Sequence, residues 1–412
     1  MQKDTQVFLA NLLHLSFLKG ISRILPLITT PFLIRKLGLE NFGTIEFVKA
    51  LSFYFTTFVS YGFRYSATKY ISLHKQDKTI VGQILGAVYL LKLIAILISF
   101  FIILILIIWV PSIRQDKIYL LCFFPVVIAS TLFPTFVFQG LEKMQWLTSL
   151  NLLTKLSFLI GIFALIRHPT DAILLPILLA SLDIMRLIAA LYVVYYKLGV
   201  RMCLPTRSML VLQLKEGVHI FFPELATMFY ARLPAIFLRF FVGSGAVGIY
   251  SLGDKIVHST LGMIDPFTQA LYPVAYKKLA ANKQAGLYFI ARIALISLAV
   301  LTLIGGLYLY FADAIIQLLT GKANPGIVSI LRLHAFLPCI VLLSNIIGIG
   351  ILLPLKAGYQ YTLTMLLAGI LCMGLHFLLV PTLQAQGAAW AILLAEAFAT
   401  MMMLFWAYQQ KK

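Results

Sequence analysis

The sequence predicts an all-α polytopic membrane protein with twelve transmembrane helices in two six-helix lobes. Three observations support this fold class. The 412 residues are 61% hydrophobic and 11% charged, with a mean hydropathy of +0.97, which is far from the composition of a soluble domain. Apolar runs of about 20 residues, long enough to cross a bilayer as helices, recur along the chain. A weak internal repeat relates the two halves.

Each apolar run is interpreted as one helical span, and no soluble domain fits between the runs. The first run is not a cleavable signal peptide, because Lys19 and Arg23 interrupt its apolar core and no small-residue cleavage pattern follows. The predicted spans are 7–35, 43–68, 80–110, 118–138, 145–166, 172–196, 211–241, 246–276, 286–311, 326–354, 360–380 and 387–408.

The loop cations predict the orientation. A cytoplasmic N-terminus places most of them on the cytoplasmic side, as the positive-inside rule requires, and both termini then face the cytoplasm. The net charge of +19 is mainly a topology signal rather than the footprint of a nucleic-acid partner, because the cations are scattered over short loops. The predicted cytoplasmic cations are Lys3, Lys69, Lys75, Lys78, Lys143, Lys197, Arg201, Arg207, Lys215, Lys277, Lys278, Lys283, Lys356, Lys411 and Lys412. The opposite face keeps chiefly Arg35, Lys36, Arg114, Lys117, Arg167 and Lys322.

The internal repeat begins early in each half. "PFLIRKLGLENFGTIEFVKA" at 31–50 can be aligned with "PAIFLRFFVGSGAVGIYSLGDK" at 234–255. Six crossings return the chain to its starting side, so the two halves run parallel and are related by an axis along the membrane normal. We therefore expect an N-terminal lobe at 1–205 and a C-terminal lobe at 206–412. The alignment pairs Pro31 with Pro234, Lys36 with Arg239 and, after a two-residue shift, Gly43 with Gly248.

Ionisable residues inside the spans concentrate in the first two helices of each lobe. Such residues are costly in a membrane and usually line a water-filled cavity or meet a partner. Repeat-related helices are also where an internal pathway is expected. The candidates for a cationic substrate cavity are Lys19, Arg23, Lys49, Arg232, Arg239 and Lys255. The candidates for ion coupling are Glu46, Asp254, His258 and Asp265.

The cationic candidates allow two interpretations. Lys19 and Arg23 are four residues apart and share a face, and Lys19 lies about 18 Å into the first helix. They form either a cavity-lining anion site or a buried pair neutralised by a carboxylate such as Glu46. Arg232 and Arg239 also share a face, but Arg239 lies near the mouth, where it is either a ligand or a snorkelling anchor.

The acidic candidates also allow two interpretations. Asp254, His258 and Asp265 follow one helical stripe, which suits a proton-sensitive relay or structural pairing with Lys255 and neighbouring cations. Asp183 and Arg186, at i and i+3, are most simply an intrahelical ion pair. The four cysteines have no spacing typical of a metal site or a disulfide framework. No cofactor and no metal are expected.

Helix-breaking residues recur in the first helix of each lobe. Interrupted helices at matching positions of two repeats are typical of transporter sites and bending elements. A static kink that only shapes packing is the alternative. The candidate hinge residues are Gly20, Pro26, Pro31, Pro223 and Pro234.

These motifs carry a family resemblance. "PLITTPFLIRKLGLENFG", the following "YGFRYSATKYIS" and the basic turn "HKQDK" resemble the N-terminal signature of Wzx-type O-antigen and polysaccharide flippases. That family belongs to the multidrug/oligosaccharidyl-lipid/polysaccharide exporter superfamily. The resemblance implies a two-lobed flippase that moves undecaprenyl-pyrophosphate-linked oligosaccharide across the bacterial cytoplasmic (inner) membrane. It also implies a cavity lined largely by helices one, two, seven and eight.

The implied cargo fits the charged residues. Lys and Arg in a low-dielectric cavity supply charge-assisted hydrogen bonds to a pyrophosphate. The expected partners are the lipid-linked oligosaccharide and the lipid bilayer, with a polysaccharide polymerase or chain-length machinery and a coupling proton or sodium ion as further candidates.

Three rival functions remain. A drug/cation exporter of the same superfamily is expected to use acidic groups for its cargo, whereas the first helix offers Lys19 and Arg23. A lipid II flippase is similar in charge but usually has fourteen spans. A membrane-embedded glycan polymerase is expected to carry a large periplasmic loop with catalytic residues, whereas the longest outside connection, around 312–325, is short. The sequence therefore favours a transporter over an enzyme.

Overall fold

The computed structural model is mostly helical over the backbone that it describes, with short turns and connections between the helices. It describes the backbone of residues 2–262 and 264–411, and the side chains of that range except 2–24, 219, 220, 222–231, 265, 266, 269, 270, 410 and 411. The first eight helices are α1 (Gln2–Ser60), α2 (Phe63–Leu73), α3 (Lys78–Trp109), α4 (Pro111–Gln115), α5 (Lys117–Leu132), α6 (Thr135–Gly140), α7 (Met144–Leu165) and α8 (Leu174–Tyr192). The remaining helices are α9 (Arg207–Phe241), α10 (Ser244–Leu261), α11 (Ile264–Ala281), α12 (Lys283–Thr320), α13 (Pro325–Leu333), α14 (Leu337–Ile347) and α15 (Gly358–Lys411).

Seven helical segments of the described chain are long and apolar enough to cross a membrane. They confirm the predicted all-α polytopic class, because they alternate with short connections and the described backbone contains no strand. The segments are Lys78–Trp109, Lys117–Gly140, Met144–Leu165, Pro169–Lys197, Lys283–Thr320, Pro325–Leu352 and Gly358–Gln409.

The two longest helices each contain a sharp turn. In α1 the turn is at Gly38, with φ 81° and ψ 165°, and in α15 it is at Gln384, with φ 51° and ψ −127°. Glycine adopts positive φ without steric cost, whereas glutamine does so only under strain. Each long helix is therefore two helices joined by a tight turn, and both turns lie between spans predicted from the sequence.

Four predicted spans are divided in the structure. The span at 43–68 breaks between α1 and α2, at Tyr61 and Gly62, which both have a positive φ. The span at 118–138 breaks between α5 and α6, where Pro134 has no N–H to continue the helix. The span at 246–276 is divided between α10 and α11, and the span at 326–354 between α13 and α14. Hydropathy reports apolar content and not backbone hydrogen bonding, so it does not detect such breaks.

Local structure recurs at a spacing of 205 residues. Gly243, which precedes α10, has a φ of 128° and lies 205 positions after Gly38. Asp77 caps α3 by accepting hydrogen bonds from the N–H groups of Thr79 and Ile80, and Asn282, again 205 positions later, caps α12 through Ala285. Such side chains satisfy the unpaired N–H groups at a helix start. Corresponding positions therefore have the same turn and capping geometry.

The chain groups into two compact units. Unit 1 comprises Met1–Leu25 and Phe47–Met228, and unit 2 comprises Pro26–Glu46 and Phe229–Lys412. One core of unit 1 is built from α2, α3, α6 and α8, with side chains such as Ile71, Val88 and Phe136 fully excluded from solvent. One core of unit 2 packs Leu271 of α11, Ile290 of α12 and Ile346 of α14.

Polar groups are also buried within unit 1. The Lys92 ammonium donates to the Thr131 carbonyl at 2.5 Å. Arg186 Nη2 lies 3.1 Å from Asp183, which confirms the predicted intrahelical ion pair, and its Nη1 donates to Asn151 at 3.0 Å. These contacts explain how the apolar bundle accommodates charges away from its ends.

Candidate functional site

A close backbone contact joins the turn of α1 to the start of α10, within unit 2. A Cβ atom added to Gly43 would overlap the Ser244 carbonyl oxygen and lie 2.8 Å from Gly248 N. A Cβ atom added to Gly248 would overlap the Leu39 carbonyl oxygen. The contact is reciprocal, since Leu39 and Ser244, like Gly43 and Gly248, are 205 positions apart. Glycine is required on both sides because backbone meets backbone.

Hydroxyl groups reinforce this contact, which we call the turn contact and define by Leu39, Gly43, Thr44, Ser244 and Gly248. Thr44 Oγ1 donates to Ser244 Oγ at 2.9 Å. Both side chains are small, so the two backbones approach closely without leaving a polar atom unpaired. The turn contact thus combines close backbone packing with a hydrogen bond between two side chains.

Arg35 anchors the same turn to α12. Its Nε donates to the Leu319 carbonyl at 2.8 Å, and its Nη2 donates to the Leu318 carbonyl. The last carbonyls of a helix have no intrahelical partner and carry the negative end of its dipole. A cation at this position stabilises the end of α12 and fixes the turn to unit 2.

An ion pair follows the turn contact along both helices. Lys255 Nζ of α10 lies 2.8 Å from Glu46 Oε1 of α1, with 27% and 11% of the two side chains exposed. The same ammonium lies 4.8 Å from the centroid of the Phe42 ring. The positive charge of Lys255, a predicted cavity ligand, is thus compensated by Glu46, a predicted coupling residue.

Asp254, the residue before Lys255, lies between two histidines. Its carboxylate is 3.2 Å from His258 Nδ1 and 3.8 Å from His334 Nδ1, and it accepts a hydrogen bond from the Tyr250 hydroxyl at 3.3 Å. His334 is fully buried and its Nε2 lies 3.2 Å from the Ala389 carbonyl. We call these four side chains, Tyr250, Asp254, His258 and His334, the Asp254 cluster.

The tautomer of His334 follows from its partners. A carbonyl only accepts, so Nε2 carries the hydrogen and Nδ1 of the neutral ring is a lone pair facing the carboxylate. Nδ1 has no hydrogen-bond partner, and two acceptors facing each other in a buried site are unfavourable. A proton on His334 Nδ1 would replace this conflict with an attraction to the Asp254 carboxylate, 3.8 Å away.

A second contact joins α2 to α9, within unit 1. Ser66 donates to Gln213 at 2.8 Å, Lys69 pairs with Glu216 at 3.1 Å, and Tyr61 stacks on Phe221 with ring centroids 4.8 Å apart. We call these six residues the α2–α9 contact. From the sequence, Lys69 is expected only as a cytoplasmic cation, and the contact itself is not predicted, because single-sequence patterns do not show which helix ends meet.

In the ion pair of the α2–α9 contact, the charge of Lys69 persists over a wide pH range. The hydrogen bond and the charge of Glu216 raise the pKa of Lys69 above its ordinary value. A raised lysine pKa contributes stability that is fully present below the ordinary value and is lost only as the pH rises through the raised value. Lys69 therefore keeps its positive charge across the physiological range.

Comparison with known proteins places the chain in a family. The sequence model of the family described as polysaccharide biosynthesis protein matches residues 8–277, which is more than half of the chain. The chain belongs to this polysaccharide biosynthesis family. A proposed O-antigen transporter of Escherichia coli (strain K12) is 29% identical over 405 residues, which cover 97% of each chain. A proposed O-antigen transporter of Shigella dysenteriae is 26% identical over 273 residues, or 64% of this chain and 66% of the relative.

Solved structures agree in fold with this member of the polysaccharide biosynthesis family. An inward-facing multidrug resistance MATE family transporter of the MOP superfamily has a TM-score of 0.75 at 13% identity and covers 97% of both chains. The lipid II flippase MurJ in an inward closed conformation has a TM-score of 0.71 at 14% identity, covering 95% of this chain and 86% of the other. The matches confirm the resemblance to O-antigen and polysaccharide flippases, and these relatives are transporters rather than enzymes.

The predicted site residues of this family member fall into three groups. Glu46, Lys255, Asp254 and His258 lie together around α10 in unit 2. Arg232 is exposed and acts electrostatically on His258, Arg239 is buried in the last turn of α9, and Lys49 is half-buried in unit 1. Lys19, Arg23 and Asp265, with the hinge candidates Gly20 and Pro223, lie outside the described side chains.

The described hinge candidates occupy helix interiors. Pro26 and Pro31 lie inside α1, and Pro234 lies inside α9. The first segment of unit 1 ends at Leu25 and the first segment of unit 2 begins at Pro26, so α1 passes from one compact unit to the other at a proline. Proline removes a backbone hydrogen bond from a helix interior, which makes this the natural place for a bend.

Proposed function

We propose that this chain is a flippase that moves undecaprenyl-pyrophosphate-linked oligosaccharide from the cytoplasmic to the extracytoplasmic leaflet by alternating access. The observation that carries the proposal is the near full-length match to a proposed O-antigen transporter. A lipid II-type exporter is the second candidate, because the fold of MurJ is also similar. The cargo class, the direction and the inner-membrane orientation with cytoplasmic termini belong to this proposal.

The proposed architecture has twelve spans in two parallel lobes. We count α1 and α15 as two spans each, and we join the second half of α1 with α2, α5 with α6, α10 with α11 and α13 with α14. With the five-residue α4 assigned to a connection, this gives six spans on each side of the connection at 198–206. The recurrence of turn and cap geometry at a spacing of 205 residues supports a repeat of this length. In this arrangement the lobes are 1–205 and 206–412.

Two contacts in the proposed architecture join the lobes, and we propose that they alternate as gates. The turn contact links the connection between spans one and two to the connection between spans seven and eight, at the extracytoplasmic end. The α2–α9 contact links the cytoplasmic ends of spans two and seven. Closing one gate while opening the other would expose the cargo site to one side at a time. Gly20, Pro26, Pro31, Pro223 and Pro234 are the proposed bending positions.

The cargo site in this proposal is a cationic face. Lys19, Arg23, Lys49, Arg232 and Arg239 would hold the pyrophosphate through charge-assisted hydrogen bonds. Lys255 is proposed to act differently, because Glu46 already compensates its charge. Its role would be to hold α1 against α10 next to the extracytoplasmic gate.

Charge exchange tests the Glu46–Lys255 pair. Lys255→Glu places two carboxylates together, and we expect export to fall at least tenfold and the protein to lose up to roughly 3 kcal/mol of stability, the lower end of the range for buried pairs. The double variant Glu46→Lys/Lys255→Glu restores the attraction and is expected to recover most of the export. Surface polymer and thermal unfolding in detergent are the measurements.

The exposed pair of Lys75 and Glu142 in unit 1 provides the control for this exchange. Exposed pairs contribute little to stability, so Lys75→Glu should change neither readout. Lack of recovery in the Glu46→Lys/Lys255→Glu double variant would show that the two charges have separate roles.

Proton coupling through the Asp254 cluster is the second part of the proposal, with Glu46 and Asp265 as further candidates. His334 and Asp254 would share one proton that exchanges as the gates alternate. The charged and titratable groups around them are Tyr250, Lys255 and His258 on α10, Arg232 on α9, Cys372 on α15 and, through Lys255, Glu46 on α1.

Asp254→Asn should uncouple transport from protons. An amide cannot hold the shared proton, so we expect at least a tenfold loss of export and a loss of its dependence on pH between about 5.5 and 8. Proton flux into proteoliposomes that contain the cargo is the measurement. Tyr250→Phe, which removes a hydrogen bond but no proton site, should keep the pH dependence. Wild-type pH dependence in Asp254→Asn would contradict coupling at this cluster.

Gene deletion tests the cargo class. In a strain without a redundant flippase, deletion is expected to abolish one surface polysaccharide and to leave its lipid-linked unit on the cytoplasmic side. Accumulation of lipid II would favour the second candidate. A normal surface polymer together with normal lipid-linked intermediates would contradict both candidates.

A further inference from the structure

A polar pocket of about 450 Å³ lies in unit 2 between α12, α13 and the second half of α15. Its volume is within the range of small-molecule sites. Neither the turn contact nor the Asp254 cluster shares a residue with it. It is lined by Asp313, Pro325, Val328, Ser329, Arg332, Leu333, Gln386 and Trp390.

The pocket presents both signs of charge. Arg332 Nη2 lies 2.6 Å from Asp313 Oδ2, and 49% and 68% of the two side chains are exposed. Gln386 donates to Ser329 at 3.2 Å and so links α15 to α13 at the pocket. A guanidinium carries five N–H donors, so Arg332 can bind a further acceptor while it keeps Asp313.

Helix length places Asp313 at the edge of the hydrocarbon. On α12 the charged residues Arg292 and Asp313 enclose twenty uncharged residues, which span about 30 Å at 1.5 Å per residue. This equals the thickness of the hydrocarbon core of a bilayer. Asp313 therefore lies at the level where phospholipid headgroups begin.

The surface leading to the pocket is apolar and exposed. Only 11% of the apolar window of α12 is buried, and Leu303, Leu307 and Tyr310 are 67%, 46% and 80% exposed. Residues three, four and seven apart share a helix face, so this stripe continues to Asp313. An acyl chain along the stripe would bring its headgroup into the pocket, beside Trp390, a residue type enriched at membrane interfaces.

We propose that the pocket binds a phospholipid with a phosphoethanolamine headgroup. The Arg332 guanidinium holds the phosphate, for which its planar donor set is well suited. The Asp313 carboxylate accepts hydrogen bonds from the primary ammonium. A trimethylammonium group has no N–H to donate, and an anionic headgroup brings no ammonium to Asp313 and adds a second negative charge to the Arg332–Asp313 pair. The site thus distinguishes phosphatidylethanolamine from phosphatidylcholine and phosphatidylglycerol. This inference is independent of the cargo proposed above.

Native mass spectrometry of the full-length protein tests the headgroup assignment. The protein is mixed with vesicles of equal parts phosphatidylethanolamine, phosphatidylcholine and phosphatidylglycerol with identical acyl chains, and retained lipids are counted. Wild type is expected to retain phosphatidylethanolamine at least fivefold over either other lipid. Asp313→Asn should reduce this preference to near one, and Arg332→Gln should reduce retention of all three lipids.

The control variants Lys75→Gln and Glu142→Gln remove an exposed ion pair in unit 1 and should retain lipids as wild type does. Size-exclusion profiles of every variant establish that the protein is folded. An unchanged preference in folded Asp313→Asn, or a wild-type preference for phosphatidylglycerol, would overturn the assignment. Displacement of the bound lipid by soluble maltotetraose would also overturn it and assign a glycan subsite instead.

Discussion

Gly43→Ala is expected to reduce export at least tenfold without loss of the protein from the membrane. The new Cβ atom would overlap the Ser244 carbonyl oxygen and approach Gly248 N to 2.8 Å. Both atoms belong to the backbone, so neither can rotate away as a flexible side chain would, and the turn contact must open. Surface polymer, normalised to the amount of membrane-inserted protein, is the measurement. Gly248→Ala, which meets the Leu39 carbonyl oxygen in the reciprocal position, should have the same effect.

Gly245→Ala is the matched control. It lies in the same turn of α10 between Ser244 and Gly248, and a Cβ atom there meets no atom within 4 Å. Both substitutions add one methyl group and restrict the unfolded chain equally. Full export with Gly245→Ala and loss with Gly43→Ala would assign the effect to the turn contact. Equal and full export in both variants would show that close approach of these backbones is not needed.

The fold class could be predicted from the sequence because membrane helices are specified by composition. Apolar runs of the right length leave few alternatives, since every backbone polar group in lipid must be satisfied internally. The turn at Gly38 was likewise predicted as the gap between two spans. The break at Pro134 is not predicted by hydropathy, because its flanking residues are as apolar as the span itself.

Part of the candidate site also follows from the sequence. Aligning the repeat paired Gly43 with Gly248, and these two glycines meet the opposite backbone in the structure. The alignment identifies equivalent positions, and in the proposed arrangement of parallel lobes equivalent positions near the axis would be close in space. The weak internal repeat therefore pointed to two glycines that lie in the same backbone contact.

Side-chain partners could not be predicted in the same way. Glu46 was considered as a partner of Lys19 and Arg23, yet it pairs with Lys255. His334 is not among the site residues predicted from the sequence, yet it faces Asp254. Both contacts depend on the rotation of one helix against another that is distant in sequence. Periodicity gives the faces of each helix but not which faces meet.

Cross-linking the turn contact tests the central claim, that this contact is a gate that must open during transport. In a variant with Cys122, Cys203, Cys339 and Cys372 replaced by serine, Thr44→Cys and Ser244→Cys place two thiols where the hydroxyl oxygens are 2.9 Å apart. Disulfide formation requires only a small further approach. The single-cysteine variants, oxidised in the same way, control for oxidation damage.

Export of lipid-linked oligosaccharide by inside-out vesicles is then measured before oxidation, after oxidation and after reduction. The proposed alternation of gates predicts that export stops in proportion to the cross-linked fraction and returns on reduction. Full export with the disulfide completely formed would contradict opening between Thr44 and Ser244, and with it the gate mechanism.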